Sequence, residues 1–483
     1  MEKLFKLDEY LGHVEVEEMP IRVKQSQNGK LDQFQDLCKT ILEAFTLEWE
    51  EDSSGFEVIL ERQKRAIIGY DKEVKYFKDK ISEYLKENSI KMSWHPRWYS
   101  DIVEAVFQEN WGLAGLSEWI QGDKESLRGS SSAKIIGDRI YFLINGELEL
   151  QPQKINEIRR RQLRKALLLK TPRKRLHDDY HEVYMLNGTR ITIYGEGKTK
   201  ETQDTIVFRK FFVKDYTFEK QVALGSIPKE SVPLFKAMIR SGYNVAFTGA
   251  VRTAKTTFLT TWQSYENPKL EGVSVETDPE IPFHEIMPEA PILQLVADGE
   301  ELEKIVKSIM RSDADYIILG EARDGVALNI AVKIANKGTR RVKMTFHCSD
   351  TMDFCYDVAD EIVKSYGGSL YSTILKVAKS FQFVFQFVQL KDKSQKRLKS
   401  IYEIEYDPLN HDVHMNQICK YRYKTDDWVW NGDLSPSTIE FGKEEDEAST
   451  IAFERCLKSL SEKYPDGSTC KFKPAYDHLK VGR

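Results

Sequence analysis

The chain lacks a long apolar run. None of its 483 residues lies in an uncharged apolar stretch of about 18, the length that a membrane-spanning helix needs. The amino-terminal segment carries charges from its second residue onward, so it also lacks the apolar region of a secretory signal peptide. We therefore expect a cytoplasmic protein with no direct membrane insertion.

Cysteine is scarce and shows no pairing motif. The six cysteines are scattered and include no C-x-x-C pair. Such spacing fits reduced thiols in a cytosol better than a disulfide framework or a zinc site. Among the histidines only His411 and His414 have a spacing that metal ligands use, and we expect this pair to face solvent. The sequence predicts no metal other than one that accompanies a phosphate ligand.

An excess of charge of one sign is also missing. The 71 Lys and Arg nearly balance the 76 Asp and Glu, which leaves a formal charge of -5. A balanced chain has no overall field that draws it to nucleic acid or anionic lipid, so such a partner needs a local patch. The segment 154–176 holds ten Lys or Arg against one Glu. A charge run of this kind is more typical of a solvated helix face than of a phosphate-binding surface.

Apolar side chains, in contrast, are plentiful. Hydrophobic residues make up 41% of the chain and aromatic residues 11%, enough for packed interiors. The length predicts two or three domains. Changes in the pattern of apolar and charged residues divide the chain into four parts. They are a helical amino-terminal extension at 1–110, an α+β domain at 111–225, a larger domain at 226–440 and a carboxy-terminal tail at 441–483.

The pattern of apolar residues predicts the fold class. Asn145 and Gly146 separate two apolar runs, as the turn of a β-hairpin does. From Gly242 onward short apolar strands alternate with helical stretches, which predicts a mainly parallel sheet covered by helices. The residue pattern from about 401 to 440 is typical of antiparallel strands. Together these patterns predict an α/β protein with a helical and α+β amino-terminal region.

The strongest local signal is the segment GAVRTAKTT at 249–257, which follows an apolar strand and precedes a helical run. Its pattern is one substitution away from the phosphate loop G-x-x-x-x-G-K-[ST]. In that loop, backbone N–H groups and a helix N-terminus bind phosphate, the lysine reaches phosphate oxygens and the hydroxyl binds Mg²⁺. The loop residues predicted to bind nucleotide are Gly249, Arg252, Thr253, Ala254, Lys255, Thr256 and Thr257.

Three acidic residues follow predicted strands downstream of this loop. Glu276 and Glu280 come at and just after the end of one strand, and Glu321 follows another. A carboxylate beside a phosphate loop can hold Mg²⁺ through water or polarise the attacking water. A single acid of this kind is more often a solvated loop residue, but three at strand ends after one phosphate loop indicate a catalytic edge.

These motifs, taken in order, resemble those of the secretion and pilus-assembly ATPases of the type II and type IV systems. The most similar branch is that of the tight-adherence (Tad) pilus and conjugation-type ring ATPases. The family's acidic box is similar to residues 276–281, and two upstream arginine segments are similar to 186–193 and 206–211. The resemblance covers roughly Trp111 to Trp430. Further matches are Arg311, Asp315, Gly320, Glu321, Arg323, Ala327, Thr345, Phe346 and His347.

The resemblance implies a RecA-like ATPase domain at 226–440 and a homo-hexameric ring that binds ATP and Mg²⁺ at subunit boundaries. It also implies a peripheral location at the inner face of the cell membrane, a membrane platform protein as partner, and export of pilin or protein. Nucleic acid is not an expected partner. The implied catalytic residues are Glu276, Glu280, Glu321, Arg323 and His347; the implied metal ligands are Thr256 and Glu321; and Arg190 and Arg209 are the arginines implied to reach the nucleotide.

Several positions depart from the family's pattern, and they cluster at the site. Ala254 replaces the second glycine of the phosphate loop, where a Cβ resists a positive φ. Elsewhere Thr277 replaces an aspartate, Val326 a glutamate, Thr339 a histidine and Arg341 a glycine. The general base Glu276 and the metal-side Glu321 are retained, which favours an atypical ATPase.

Two alternatives to an active ATPase remain. One is a ring-forming scaffold that binds nucleotide weakly or not at all. The other is a nucleic-acid motor that uses the basic segment near Arg160, for which the balanced overall charge offers no support.

Overall fold

The structure is a computed structural model, and part of the chain is described in it. Of the predicted amino-terminal extension residues 1–24 lie outside the described part, as do residues 169–176 of the basic segment. The domain boundaries predicted from the sequence stay predictions. The described residues are 25–51, 56–122, 124–127, 129–168, 180–185, 189–195, 197–210, 215–277, 280–297, 299–309, 311, 313–474, 476 and 479.

The chain forms two compact units. The first comprises Met1–Ile144 and Leu148–Lys210, and the second comprises Asn145–Glu147 and Phe211–Arg483. Each unit has its own hydrophobic interior. Among the described residues, no helix is both long enough and apolar enough to cross a membrane.

The first unit begins with helices around an aromatic core. The rings of Phe45 and Phe77 both stack on Trp111, with centroids 5.4 and 5.2 Å away. Phe34, Ile41 and Phe45 lie on one buried face of the first helix, as the helical repeat requires. The helices are α1 (Gln25–Glu51), α2 (Phe56–Ile67), α3 (Asp71–Glu87), α4 (Ile102–Asn110), α5 (Ser117–Gln121) and α6 (Glu157–Leu168).

A six-stranded sheet completes the first unit, in the order β3-β2-β1-β6-β5-β4. Asn145 and Gly146 join neighbouring strands with φ angles of 50° and 83°, so the predicted hairpin turn is confirmed. The strands are β1 (Ser132–Ile136), β2 (Arg139–Ile144), β3 (Glu147–Lys154), β4 (Tyr180–Tyr184), β5 (Arg190–Tyr194) and β6 (Thr205–Arg209).

Two arginines of the basic segment are buried in the first unit. Arg160 forms an ion pair of 2.7 Å with Asp204, and both side chains are buried. Arg159 donates to the carbonyl of Gly112 at 2.5 Å. For these two residues the prediction of a solvated helix face was wrong, because their charges satisfy buried partners. Arg161 follows the expectation, with an exposed partner in Glu157.

The second unit contains a ten-stranded sheet in the order β15-β14-β13-β12-β7-β11-β10-β8-β9, with β16 beside β14. Six neighbouring strands, from β12 to β9, are parallel, and the others are antiparallel. The strands are β7 (Val245–Gly249), β8 (Gly272–Glu276), β9 (Ile292–Val296), β10 (Tyr316–Leu319), β11 (Lys343–Phe346), β12 (Phe383–Gln389), β13 (Lys396–Asp407), β14 (Asp412–Arg422), β15 (Asp427–Trp430) and β16 (Lys471–Phe472).

Helices cover both faces of this sheet. Val245 and Phe247 face one hydrophobic cluster and Ala246 the other, as alternation along a strand requires. The predicted α/β fold class with a mainly parallel sheet is confirmed. The helices are α7 (Phe218–Ala223), α8 (Val232–Arg240), α9 (Lys255–Ser264), α10 (Phe283–Ile286), α11 (Gly299–Ile309), α12 (Gly325–Ala335), α13 (Phe354–Tyr366), α14 (Leu370–Ser380) and α15 (Pro436–Lys463).

The parallel strands position the candidate site. Their carboxyl ends all lie at one edge of the sheet, the place where open α/β sheets bind ligands. Gly249 ends β7, Glu276 ends β8, and Phe346 ends β11. Residues that follow these strands in the sequence are therefore neighbours in space although they are far apart in the chain.

Candidate functional site

The loop at 250–254 connects β7 to α9 and folds back on itself. Thr253 donates from its hydroxyl to the carbonyl of Ala250 at 2.9 Å. Gly249 has a φ of 137°, and a Cβ there would lie 2.8 Å from the Thr253 hydroxyl and closer still to the carbonyl oxygen of Phe387. Only glycine therefore fits at the start of the loop.

The loop leads directly into the N-terminus of α9. Arg252 and Ala254 both have left-handed φ angles, of 66° and 71°. Ala254 is the residue that precedes the helix, and its side chain makes no capping hydrogen bond. The first N–H groups of a helix have no partner within the helix, so the amides of the first turn of α9 are oriented to bind an anion.

Lys255 lies at the start of α9 and is buried. Its ammonium donates to the carbonyls of Gly249 at 3.0 Å and Ala250 at 2.9 Å. It also lies 3.3 Å from Nδ1 of His347. Burial lowers the pKa of Lys255 to about 8, and the charge of Glu321 opposes this shift. An ammonium at the start of a helix that follows a phosphate-type loop is suited to bind an anionic ligand.

His347 and Glu321 continue this chain of contacts along the sheet edge. Nε2 of His347 lies 3.3 Å from Oε1 of Glu321, and Arg323 donates to Oε2 of Glu321 at 2.6 Å. Burial by itself raises the pKa of Glu321, but the hydrogen bonds with His347 and Arg323 outweigh it and lower the pKa to about 2. Glu321 is therefore a carboxylate at physiological pH.

Glu276 occupies the end of β8, beside the end of β10. Its Oε1 accepts from the backbone N–H of Glu280 at 3.2 Å and of Ile281 at 3.1 Å. A Cβ on Gly320 would lie 2.8 Å from Cγ of Glu276, so Gly320 makes room for this side chain. Two backbone donors hold the carboxylate in a fixed position, which is what a group that orients water requires.

Thr256 and Glu321 have the chemistry of ligands for Mg²⁺. Both offer oxygen atoms, which Mg²⁺ prefers, and Mg²⁺ in phosphate sites takes only one or two protein ligands beside water and phosphate. Thr256 and Thr257 are half-buried in the first turn of α9, where their carbonyls accept from the hydroxyls of Thr260 and Thr261. The donor set therefore fits Mg²⁺ that arrives with a phosphate ligand.

A small cleft opens beside Glu321. Thr277 lies in its wall, so this departure from the family's acidic box is located at the site itself. The remaining lining residues are Val275, Ala297, Leu302, Leu319, Arg323, Asp324 and Ala327.

The structure brings together most, but not all, of the predicted site residues. The loop, the acids and His347 meet at one edge of the second unit. Arg190 and Arg209 belong to the first unit, where they lie directly opposite each other on β5 and β6. The prediction that these arginines reach the nucleotide stays a prediction.

Tyr216 is a half-buried tyrosine whose hydroxyl senses the charges of the acidic residues at the site, and the sequence analysis does not name it. Burial raises the pKa of its hydroxyl to about 12, with further contributions from Glu276, Glu280 and Glu285. Its carbonyl accepts from the hydroxyl of Ser264 at 2.7 Å, at the carboxyl end of α9. Tyr216 lies outside every motif, so no sequence signal identifies it.

Comparisons with known proteins show the family to which the chain is similar. A sequence profile described as Type II/IV secretion system protein matches residues 180–422, which is just over half of the 483 residues. An uncharacterized protein of Methanocaldococcus jannaschii is 24% identical over 219 residues, which cover 44% of this chain and 77% of that protein.

Three solved structures are similar to the chain. The VirB11 ATPase from the Brucella suis type IV secretion system, in complex with sulphate, is 13% identical with a TM-score of 0.32, over 60% of this chain and 92% of that one. The Legionella pneumophila ATPase DotB is 13% identical with a TM-score of 0.43, over 71% and 86%. The pilus retraction motor PilT with bound ADP is 13% identical with a TM-score of 0.44, over 72% and 91%. Sequence identities and TM-scores this low do not identify functional residues of this chain.

Proposed function

Because the chain belongs to the type II/IV secretion system protein family, we propose that it is an ATPase that works in a secretion or pilus-assembly machine. The observation that carries this proposal is the contact chain from Lys255 through His347 to Glu321, beside the uncapped N-terminus of α9. A buried ammonium, orphan amides and an ionised carboxylate at one sheet edge are the groups that binding and cleavage of a nucleoside triphosphate require.

Each residue has a role that follows from its position. Lys255 would exchange its contacts with the loop carbonyls for phosphate oxygens, and the amides of α9 would bind the same phosphates. Glu276, which two backbone N–H groups hold in place, would orient the attacking water as general base. Thr256 and Glu321 would hold Mg²⁺, which supplies charge neutralisation at the phosphates when it is bound.

The wider features of the proposal rest on the family resemblance. They are a homo-hexameric ring, closure of Arg190 and Arg209 on nucleotide at the subunit boundaries, and a membrane platform protein as partner. In this arrangement ATP turnover would drive the export of pilin or another protein from the inner face of the membrane.

The test is phosphate release from ATP by the purified full chain, compared with Lys255→Ala and Glu321→Gln. We expect each substitution to lower the turnover about 100-fold or more, because each removes a charge aimed at the phosphates or at their metal. Lys337→Ala and Glu301→Gln are matched controls, since both side chains are exposed outside the site. Equal phosphate release by the wild type and the Lys255→Ala variant would refute the proposal that the protein hydrolyses ATP at this site.

A non-catalytic scaffold subunit is the second candidate. The left-handed Ala254 and the replacement of an acid by Thr277 favour it, because both departures lie at the site. Phosphate release separates the two functions, because a scaffold releases none whether or not it binds nucleotide. A nucleotide titration with and without Mg²⁺ then shows whether such a scaffold binds nucleotide.

A further inference from the structure

A buried ion cluster lies at the edge of the sheet opposite to the phosphate loop. Glu266 follows the carboxyl end of α9, and its Oε1 accepts from Nε of Arg341 at 3.0 Å. Its Oε2 lies 2.8 Å from Nζ of Lys343. The side chains of Glu266 and Lys343 are only 2% and 1% exposed, so solvent screens these charges little.

The carboxy-terminal helix α15 balances the charge of this cluster. Arg341 and Lys343 carry two positive charges, and Glu266 supplies one negative charge. The second negative charge comes from Glu445 of α15, whose Oε1 lies 2.7 Å from Nη1 of Arg341. Its Oε2 lies farther, at 3.6 Å, from Nε of Arg340. A buried charge without a counter-charge is strongly destabilising, so the cluster depends on α15 for its neutrality.

The backbone is shaped for this contact. Arg341 has a left-handed φ of 57°, at the position where the family's pattern has glycine. Its N–H donates to the carbonyl of Gly242 at 3.2 Å. A Cβ on Gly242 would lie 2.5 Å from Nη1 of Arg341 and 2.9 Å from Cγ of Glu445. The strand β7 therefore starts against the cluster itself.

The cluster and the phosphate loop lie at opposite ends of the same two elements. The helix α9 begins with Lys255 and is followed by Glu266, while β11 begins with Lys343 and is followed by His347. Lys255 contacts His347 at one end, and Glu266 contacts Lys343 at the other. A shift of Glu266 would therefore move α9 along β11 and displace the ammonium of Lys255.

We propose that Arg341 is a positioning residue through which the carboxy-terminal helix α15 sets the placement of the phosphate-loop helix α9. The inference rests on the proposed function and deepens it: nucleotide binding depends on a charge, that of Glu445, far from the phosphates. Arg341, at a position where the family's pattern has glycine, forms an ion pair with the chain's own carboxy-terminal helix.

The test compares Glu445→Gln with Glu444→Gln in the full chain. Glu444 is the matched control because it is the neighbouring acid on α15, its side chain is 62% exposed, and its partner is Arg340 at 2.5 Å rather than Arg341. An ion pair with one exposed member contributes little. The probe is a fluorescent ATP analogue with Mg²⁺. We expect Glu445→Gln to weaken its binding about fivefold or more, as typical couplings between distant sites do, and Glu444→Gln to leave it unchanged.

If the charge balance of the cluster is what matters, a second substitution that restores neutrality should recover nucleotide affinity. A merely structural role of Glu445 predicts no such recovery. Adding Lys343→Met to Glu445→Gln removes one positive charge and makes the cluster neutral again. We expect the double variant to recover most of the lost affinity, whereas Lys343→Met alone weakens binding. Losses that simply add in the double variant would overturn the inference, as would equal binding by the Glu445→Gln and Glu444→Gln variants.

Hydrogen–deuterium exchange of the α9 amides is the readout that does not depend on nucleotide. We expect faster exchange in Glu445→Gln than in Glu444→Gln, at an unchanged rate in the first unit. If the wild type binds no ATP analogue, the proposed function fails, and the exchange rates still decide the positioning inference. If α9 exchanges equally in both variants, the inference fails even though ATP binds.

Discussion

Ala254 holds a backbone conformation that alanine avoids. Its φ of 71° and ψ of 27° lie in the left-handed region, directly before the first turn of α9. The sequence identifies the position as a departure from the phosphate-loop pattern and predicts that a Cβ resists a positive φ. The structure shows that the loop keeps this φ nevertheless, so the chain bears the strain at a residue next to Lys255.

We predict that Ala254→Gly relieves this strain. A left-handed alanine costs about 1 to 2 kcal/mol, and glycine costs about 0.5 to 1 kcal/mol of unfolded-state entropy. The free energy of unfolding of the second unit should therefore rise by up to about 1.5 kcal/mol, which urea denaturation measures. Ala254→Val is the contrasting variant and should destabilise, because a β-branched residue is least suited to a positive φ. A loss of stability in Ala254→Gly would contradict the assignment of strain.

The arginines of helix α6 lie in different environments although they are neighbours in the sequence. In the sequence its arginines form one charge run. In the fold Arg160 pairs with Asp204 in the interior, and Arg161 pairs with Glu157 on the surface. Neighbouring positions on a helix point about 100° apart, so adjacent charges meet different environments.

We predict that Asp204→Asn costs about 3 to 5 kcal/mol of unfolding free energy, because it leaves the Arg160 guanidinium buried without its counter-charge. Glu157→Gln, which breaks the exposed pair of the same helix, should cost at most about 0.5 kcal/mol. Chemical denaturation of the full chain, followed by far-ultraviolet circular dichroism, measures both in the transition of the first unit. Similar losses in the two variants would show that the burial of the Arg160 pair carries no energetic weight.

The whole molecule is built from two units with separate interiors, so a single unfolding transition is not expected. The phosphate loop, Glu276, Glu321 and His347 belong to the second unit. Arg190 and Arg209 belong to the first. A ligand stabilises only those parts of a protein that bind it.

We predict that ATP with Mg²⁺ raises the unfolding temperature of the second unit in calorimetry of the full chain. At a ligand concentration of 100 times Kd the stabilisation is about 2.7 kcal/mol. If Arg190 and Arg209 contact the nucleotide, the transition of the first unit shifts as well. Lys255→Ala should abolish both shifts, and a shift that survives this substitution would place the nucleotide elsewhere.

Local patterns in the chain are sufficient to locate much of the fold and the site. The alternation of apolar strands and helices from Gly242 predicts a mainly parallel sheet, and Asn145 with Gly146 predicts a hairpin, because both signals arise between near neighbours in sequence. Parallel strands also make the site predictable in part. Once Lys255, Glu276, Glu321 and His347 are placed after strands, the geometry of the sheet brings them to one edge.

Other features depend on contacts between distant segments, and no local pattern reports those. The partners of Arg341 lie 75 and 104 residues away, at Glu266 and Glu445. In the sequence Arg341 is merely a departure from a glycine, and Tyr216 has no motif at all. The burial of Arg160 is likewise a result of packing, because a charge becomes structural only when the folded chain removes water and supplies its counter-charge.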